Sequence, residues 1–271
     1  MLHGVILRGR YKLFAELGKG SMGEVWKAFD RVLGRGVAVK VLRDNFETEP
    51  KRVQRFVNEA KIGAQLQHPG IVAVFDFGEH EGRHFCVMEL LDGEDLAKVM
   101  TRAPNGLPIE SVVNIIDSVA AALEAAHSKG VIHRDIKPAN VMILDGGATK
   151  ICDFGVARMV QPFAGKGTAG IGTLAYMAPE QFQGGLGERA DLYSLGCVGY
   201  ELLTGKRPFQ GNPAELMWRH LCEVPISPKA IRPETRPELD SLILALMAKD
   251  PACRPSARDV MQWLKGMRDC L

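Results

Sequence analysis

Three glycines stand close together in Gly18-Lys19-Gly20-Ser21-Met22-Gly23-Glu24-Val25. Glycine lets backbone amides approach phosphate oxygens with no Cβ in the way, so this run could cradle a phosphate. A plain hairpin turn would use the same residues. The G-x-G-x-x-G spacing also opens dinucleotide-binding folds, but there it joins a strand to a helix, and here the next segment reads as a strand. Further on, Lys40 ends the strand-like run Val37-Ala38-Val39-Lys40, and Glu59 falls in a helical stretch. His133-Arg134-Asp135-Ile136-Lys137-Pro138-Ala139-Asn140, Asp153-Phe154-Gly155 and Ala178-Pro179-Glu180 follow in that order. Singly, each has an ordinary reading: a strand lysine is commonly a solvated charge, a helix Glu a surface carboxylate, and Asp or Asn a turn former.

The elements that must position these residues change character near Asp92. Before it, Tyr11 to Leu17, Val25 to Ala28, Val37 to Leu42, Ile71 to Phe77 and Phe85 to Leu90 are short β-branched or aromatic runs separated by Gly and charged turns, which predicts an antiparallel sheet. Between the third and fourth, Lys51 to Leu66 carries Val53, Phe56, Val57, Ala60 and Ala64 at helical spacing. After Asp92 the period becomes 3.6. Val112, Val113, Ile116, Val119, Ala120, Leu123 and His127 line one side of a long helix, and Asp191 to Leu203 is apolar almost all round, which predicts a buried helix. Shorter helices are expected near Pro213 to Leu221, Leu239 to Met247 and Ser256 to Met267. The fold class is therefore α+β, with a small antiparallel sheet lobe holding one main helix over 1–91 and a larger, mostly helical lobe over 92–271.

The ordered set of motifs resembles the protein kinase family from Tyr11 to about Met267, and its phrasing around Gly172-Thr173-Leu174-Ala175-Tyr176-Met177 is most like the bacterial serine/threonine kinases of eukaryotic type. The resemblance implies a two-lobed kinase fold and transfer of the ATP γ-phosphate to Ser or Thr hydroxyls of protein substrates, including this chain itself. It assigns Lys40 to the α/β-phosphates and Glu59 to holding Lys40; Asp135 to the acceptor hydroxyl; Lys137 to the moving phosphoryl; Asn140 and Asp153 to Mg²⁺, with Mn²⁺ an alternative; and Thr173 to the substrate loop beside Asp135 and Lys137. Leu17, Gly18, Gly20, Gly23, Val25, Ala38, Met88, Glu89, Leu91, Asp95 and Met142 complete the nucleotide set. Val25, Ala38 and Met142 flank the adenine, Glu89 and Leu91 offer backbone groups, and Asp95 meets the ribose. His133 is implied to pack under Phe154, Asp191 to hold the catalytic loop, and Arg254 to pair with Glu180. Thr168 is the single hydroxyl between Phe154 and Gly172, and Arg55, Arg134 and Arg158 occupy positions that in the family hold a phosphate there.

Two departures from the family pattern stand out. Gly63, one turn after Glu59, replaces a larger apolar residue; glycine inside a helix costs about 1 kcal/mol against alanine, so a loosely held helix is expected. Ala139 stands where arginine-directed members carry Glu, which weakens an acidic substrate pocket. A pseudokinase scaffold would show a broken glycine run or a lost Lys40, Asp135, Asn140 or Asp153, and none is broken. Small-molecule phosphotransferases of similar fold lack the Ala178-Pro179-Glu180 and Thr173 region. Lys137 disfavours a tyrosine kinase.

Composition agrees with an ordinary folded enzyme. The 271 residues are 46% hydrophobic and 24% charged, and 34 Lys and Arg against 32 Asp and Glu leave a net charge of +2, without the basic excess of a nucleic-acid binder. No stretch has the roughly 20 apolar residues that cross a bilayer. The start carries no signal-peptide pattern, and six scattered cysteines form no C-x-x-C pair. The expectation is a cytoplasmic chain with free thiols, or the intracellular kinase domain of a longer protein. Partners are protein substrates, with a transient homodimer for autophosphorylation.

Overall fold

The computed structural model describes residues 2–20, 23–43, 49–154 and 171–269, and the chain divides into two compact units, Met1–Asp92 and Gly93–Leu271. The first unit is a six-stranded antiparallel sheet in the order β1-β2-β3-β4-β6-β5. Its strands are β1 (Ile6–Leu7), β2 (Tyr11–Lys19), β3 (Gly23–Asp30), β4 (Arg35–Leu42), β5 (Val74–His80) and β6 (Arg83–Met88), and helix α1 (Pro50–Gln65) lies between β4 and β5 in sequence.

The two-residue side-chain period of β4 decides what each face does. Val37, Val39 and Val41 face one way, into a core with Tyr11, Leu13, Trp26, Phe85 and Val87. Leu42 faces the other way, where it packs with Phe56 and Ala60 of α1 and with Cys86. Lys40 has the parity of Leu42, so it stands on the helix side of the sheet.

The sheet's fifth strand begins later than the apolar run Ile71 to Phe77 suggests. Ile71, in a single bridge pair, and Val72 are buried before the strand begins, and β5 runs instead from Val74 to His80. It returns through Glu81 and Gly82, both with positive φ (52° and 78°), the two-residue turn whose twist matches that of antiparallel strands. The expectation of a loosely held α1 also needs correction. Gly63 is buried, and a Cβ there would sit 2.7 Å from Val74 Cγ2, so the glycine permits close approach of helix and strand.

The second unit opens with a three-stranded sheet, β7 (Gly93–Asp95), β8 (Val141–Leu144) and β9 (Thr149–Ile151), paired in that order. Its described helices are α2 (Leu96–Thr101), α3 (Ile109–His127), α4 (Ile171–Leu174), α5 (Pro179–Phe182), α6 (Arg189–Thr204), α7 (Pro213–Cys222), α8 (Pro228–Ile231), α9 (Pro237–Leu246) and α10 (Ala257–Asp269). α6 is the interior helix: fourteen of its residues, Asp191 among them, are buried, and α3, α9 and α5 pack around it. Gly196 and Gly199 permit that packing, since a Cβ at Gly199 would lie 2.5 Å from Ile243 Cδ1.

Candidate active site

In the first unit, Lys40 is nearly buried and its Nζ lies 2.7 Å from Glu59 Oε1. Strand parity aims the lysine at α1, and Phe56 and Ala60 seat that helix so that Glu59 meets it. Register places Val25 opposite Lys40, and Ala38 opposite Met88, so all four share one face of the sheet. Glu89 donates its backbone N–H to the Ala73 carbonyl at 2.9 Å, so that N–H is already used within the first unit. Leu91 follows in irregular chain, half-buried. Leu17 is exposed near the end of β2, within the second of two register shifts that disturb the strand.

The three glycines of the first motif differ in kind. A side chain at Gly23 would collide with the Val41 carbonyl oxygen, so close strand approach alone accounts for that glycine. Added Cβ atoms at Gly18 would meet nothing within 4 Å, and one at Gly20 would make only an ordinary contact at 3.7 Å. Packing among the described residues gives those two no reason to be glycine.

In the second unit, the stretch from His133 to Asn140 is held from below by one buried carboxylate. Asp191, fully buried, accepts from the backbone N–H groups of His133 (2.8 Å) and Arg134 (2.7 Å) and from His127 Nε2 (2.8 Å). Arg134 takes a left-handed backbone conformation at φ 68°, and so does Asp153 at 57°. Non-glycine residues avoid this region unless their surroundings hold them there. His133 Nε2 lies 3.0 Å from the Cys152 carbonyl and its Nδ1 accepts from the Asp135 N–H at 3.3 Å, so the ring's proton sits on Nε2. Its ring packs against Phe154 at 4.7 Å between centroids, a structural role.

Above this support sits a polar cluster. Lys137 Nζ lies 2.7 Å from Asp135 Oδ2 and donates to Thr173 Oγ1 at 3.2 Å. Asn140 Nδ2 donates to the Asp135 carbonyl at 2.8 Å, and 3.2 Å separates it from Oδ2. With its amide nitrogen committed there, Asn140 Oδ1 is left as an acceptor without a hydrogen bond among the described residues. The pairing of Val141 with Ile151, continued by Cys152 N–H to the Asn140 carbonyl at 3.0 Å, brings Asp153 alongside Asn140. Asp153 is exposed. Two hard oxygen donors, one a carboxylate, suit Mg²⁺, which keeps several of its own waters and takes few protein ligands.

Asp95 and Met142 are cross-strand partners in the β7–β8 ladder. Asp95 also caps α2, accepting from the Lys98 N–H at 2.9 Å and pairing with Lys98 Nζ at 3.0 Å. Glu180 meets Arg254 in a two-pronged pair at 2.6 and 2.8 Å, and the remaining Arg254 donors reach the carbonyls of Ala248, Arg189 and Lys249. All five guanidinium N–H groups are thereby used in a side chain with no exposure. Among the regulatory positions, Arg55 is half-buried on α1 and the buried Nε of Arg134 has no hydrogen-bond partner among the described residues. Thr168 and Arg158 lie outside the described residues.

Sequence reasoning placed His127 only on a helix face and gave no role to Ser194 or Gln181. The Ser194 hydroxyl donates to the Tyr176 carbonyl at 2.7 Å, and Gln181 Nε2 reaches the Arg134 carbonyl at 3.3 Å. Only the polar character of His127 and Ser194 at positions of otherwise apolar helices could have marked them.

A profile described as the protein kinase domain matches residues 11–264. The chain is 42% identical over 260 residues to serine/threonine-protein kinase PknA of Mycobacterium tuberculosis, covering 93% of this chain and 59% of that one. It is also 42% identical over 255 residues to serine/threonine-protein kinase PknB of Mycolicibacterium smegmatis, covering 90% and 40%. The chain thus spans 59% and 40% of the length of these two relatives. Among solved structures, the crystal structure of the M. tuberculosis PknI kinase domain superposes with a TM-score of 0.77 at 29% identity over 100% of both chains.

Proposed function

The chain belongs to the protein kinase family, and from that premise we propose that it transfers the γ-phosphate of ATP to Ser or Thr hydroxyls of protein substrates. The observation that carries the proposal is the Lys137 ammonium held between the Asp135 carboxylate and the Thr173 hydroxyl. A base, a fixed cation and a loop hydroxyl are what an in-line transfer to an alcohol needs on the acceptor side.

The acceptor oxygen forms a bond to the γ-phosphorus while the bond to the β-phosphate oxygen breaks, and ADP leaves. Asp135 accepts the hydroxyl proton. Lys137 neutralises charge on the moving phosphoryl, and Asn140 keeps Asp135 in place through both of its contacts. Lys40, held by Glu59, meets the α- and β-phosphates. Asn140 and Asp153 would hold Mg²⁺, which when bound would supply charge neutralisation on the phosphates. Gly18 and Gly20, against which the described residues pack little or nothing, carry no Cβ to keep a phosphate away from the backbone. Relatives named as serine/threonine kinases support the choice of acceptor.

The decisive assay is transfer of label from ATP to a Ser/Thr peptide library with Mg²⁺ present. Asp135→Asn is expected to abolish transfer while nucleotide still binds, and Lys40→Met to lower it by orders of magnitude in folded protein. Full activity in either variant overturns the corresponding assignment. We extend the proposal to the loop: Thr168 is autophosphorylated when two copies meet, and Arg134, Arg55 and Arg158 receive the phosphate. Unmodified Thr168 in fully active protein, or an undiminished rate in Thr168→Ala, refutes this extension. Among the described residues no helix is long and apolar enough to cross a membrane.

A further inference from the structure

The strip that presents Thr173 to Lys137 is anchored from behind by a group of residues outside all the motifs above. Leu174, Ala175, Tyr176, Met177 and Ala178 are each buried, and the strip turns through the Tyr176 N–H to the Thr173 carbonyl at 3.3 Å. Tyr176 is held at both ends. Its carbonyl accepts from Ser194 of α6, and its hydroxyl donates to Glu201 Oε2 two turns further along the same helix. The Glu201 carboxylate is largely buried, with a side-chain exposure of 13%, and burial pushes its pKa up. Among the described residues its one cationic partner is Arg207, just beyond the end of α6. Arg207 Nε lies 3.5 Å from Glu201 Oε1, and its guanidinium stands 5.7 Å from the Tyr176 ring centroid.

Arg207 therefore touches both members of the Tyr176–Glu201 bond. A buried carboxylate without a counter-charge takes up a proton more readily. Once protonated, Glu201 no longer offers Tyr176 a charged acceptor, and a hydrogen bond to a charged group is about twice as strong as a neutral one. The tyrosine is then free to shift, and Thr173 lies only three residues away.

We propose that Arg207 is a positioning residue for phosphoryl transfer: by pairing with Glu201 and covering Tyr176 it fixes the strip that sets Thr173 against Lys137, and so the seat of the acceptor peptide. The inference rests on the kinase reading above. The groups that face Glu201 are Tyr176 from the strip, Arg207 from the chain after α6, and the buried thiol of Cys197 one turn earlier on α6 itself. Neither Tyr176 nor Cys197 can supply positive charge, so Arg207 alone carries that task among these groups.

The test uses a Thr-centred peptide chosen on the unaltered protein from a positional library. Arg207→Ala is expected to raise the peptide KM about five- to tenfold with the ATP KM within twofold of its starting value. The peptide KM of that variant should also worsen further as pH falls from 7.5 to 6, because an unpaired Glu201 protonates in that direction. Arg207→Lys keeps a cation and should recover most of the loss, and Glu201→Gln should show a raised peptide KM without the added pH dependence. Absence of transfer by the unaltered protein defeats the kinase reading itself. Active unaltered protein with an unchanged peptide KM in Arg207→Ala overturns the positioning role. So does an equal rise in both KM values, or no recovery with lysine.

Discussion

Gly63→Ala is the most informative single change in the first unit, because two effects of known sign compete there. Alanine is favoured over glycine inside a helix by about 1 kcal/mol. Against this, the new methyl would lie 2.7 Å from Val74 Cγ2, nearer than carbon atoms approach, and Val74 is β-branched with little rotameric freedom. Overpacking of this kind costs roughly 1 to 3 kcal/mol. The clash therefore offsets or exceeds the propensity gain, and the net change is expected to be a loss of about 1 kcal/mol. Relief comes by moving α1 away from β5. Glu59 stands one turn before Gly63, so the same movement lengthens its 2.7 Å contact with Lys40, and kcat is expected to fall about tenfold. Val74→Ala alone removes two methyls and costs about 1 kcal/mol or more. In the double variant the two changes fit together, so a double-mutant cycle by urea unfolding should show favourable coupling of at least about 1 kcal/mol. A Gly63→Ala protein stabilised by the full propensity gain, with unchanged kcat and no coupling to Val74, refutes the close-approach account.

Asp191→Asn puts an amide where three N–H groups converge on one carboxylate, and a buried donor left unmade costs about 1 to 3 kcal/mol. A fall in kcat of a hundredfold or more with the ATP KM little changed is expected, and an active variant would show that the catalytic loop does not depend on this support. Arg254→Lys keeps the charge but removes the two-pronged contact with Glu180 and leaves backbone carbonyls unpaired, so chemical denaturation should register a loss of about 1 to 3 kcal/mol. Burial, then the nearby Lys249 ammonium, pushes the His220 imidazole down to about 3. The unfolded chain binds a proton near pH 6.5 that the folded chain refuses, so stability is whole above that pH and falls toward about 3, by at most about 1.4 kcal/mol per pH unit. Melting temperatures of the parent and of His220→Asn, which keeps an acceptor for Tyr193, should diverge between pH 7.5 and 5 and flatten in the variant; parallel curves count against the assignment.

Local patterns were enough to read much of this molecule. The alternation of Val37, Val39 and Val41 against Ala38, Lys40 and Leu42 is a property of any pleated strand. It places Lys40 on the helix side before any contact is known. Phe56 and Ala60 at helical spacing likewise decide which face of α1 meets the sheet, and so where Glu59 stands. The motif order from Gly18 to Glu180 needed no coordinates, since it lies in residue types and separations. Side-chain periods and turn chemistry depend on neighbours a few residues away, and those neighbours are what a sequence displays.

Contacts between distant residues were decided by packing alone. Gly63 read as a weak point of a helix, because its cost is local while Val74, which profits from it, stands eleven residues away on another element. Asp191 gathers donors from positions 57 to 64 residues earlier, and Arg254 distributes its five N–H groups over partners as far as 74 residues away. Glu201 and Arg207 look like ordinary charges near a helix end. They became a pair behind Tyr176 only because α6 is buried along most of its length, leaving the carboxylate few partners and little water. Desolvation turns an exposed charge of small consequence into one that must be matched, and a chain's sequence does not state which of its charges will be desolvated.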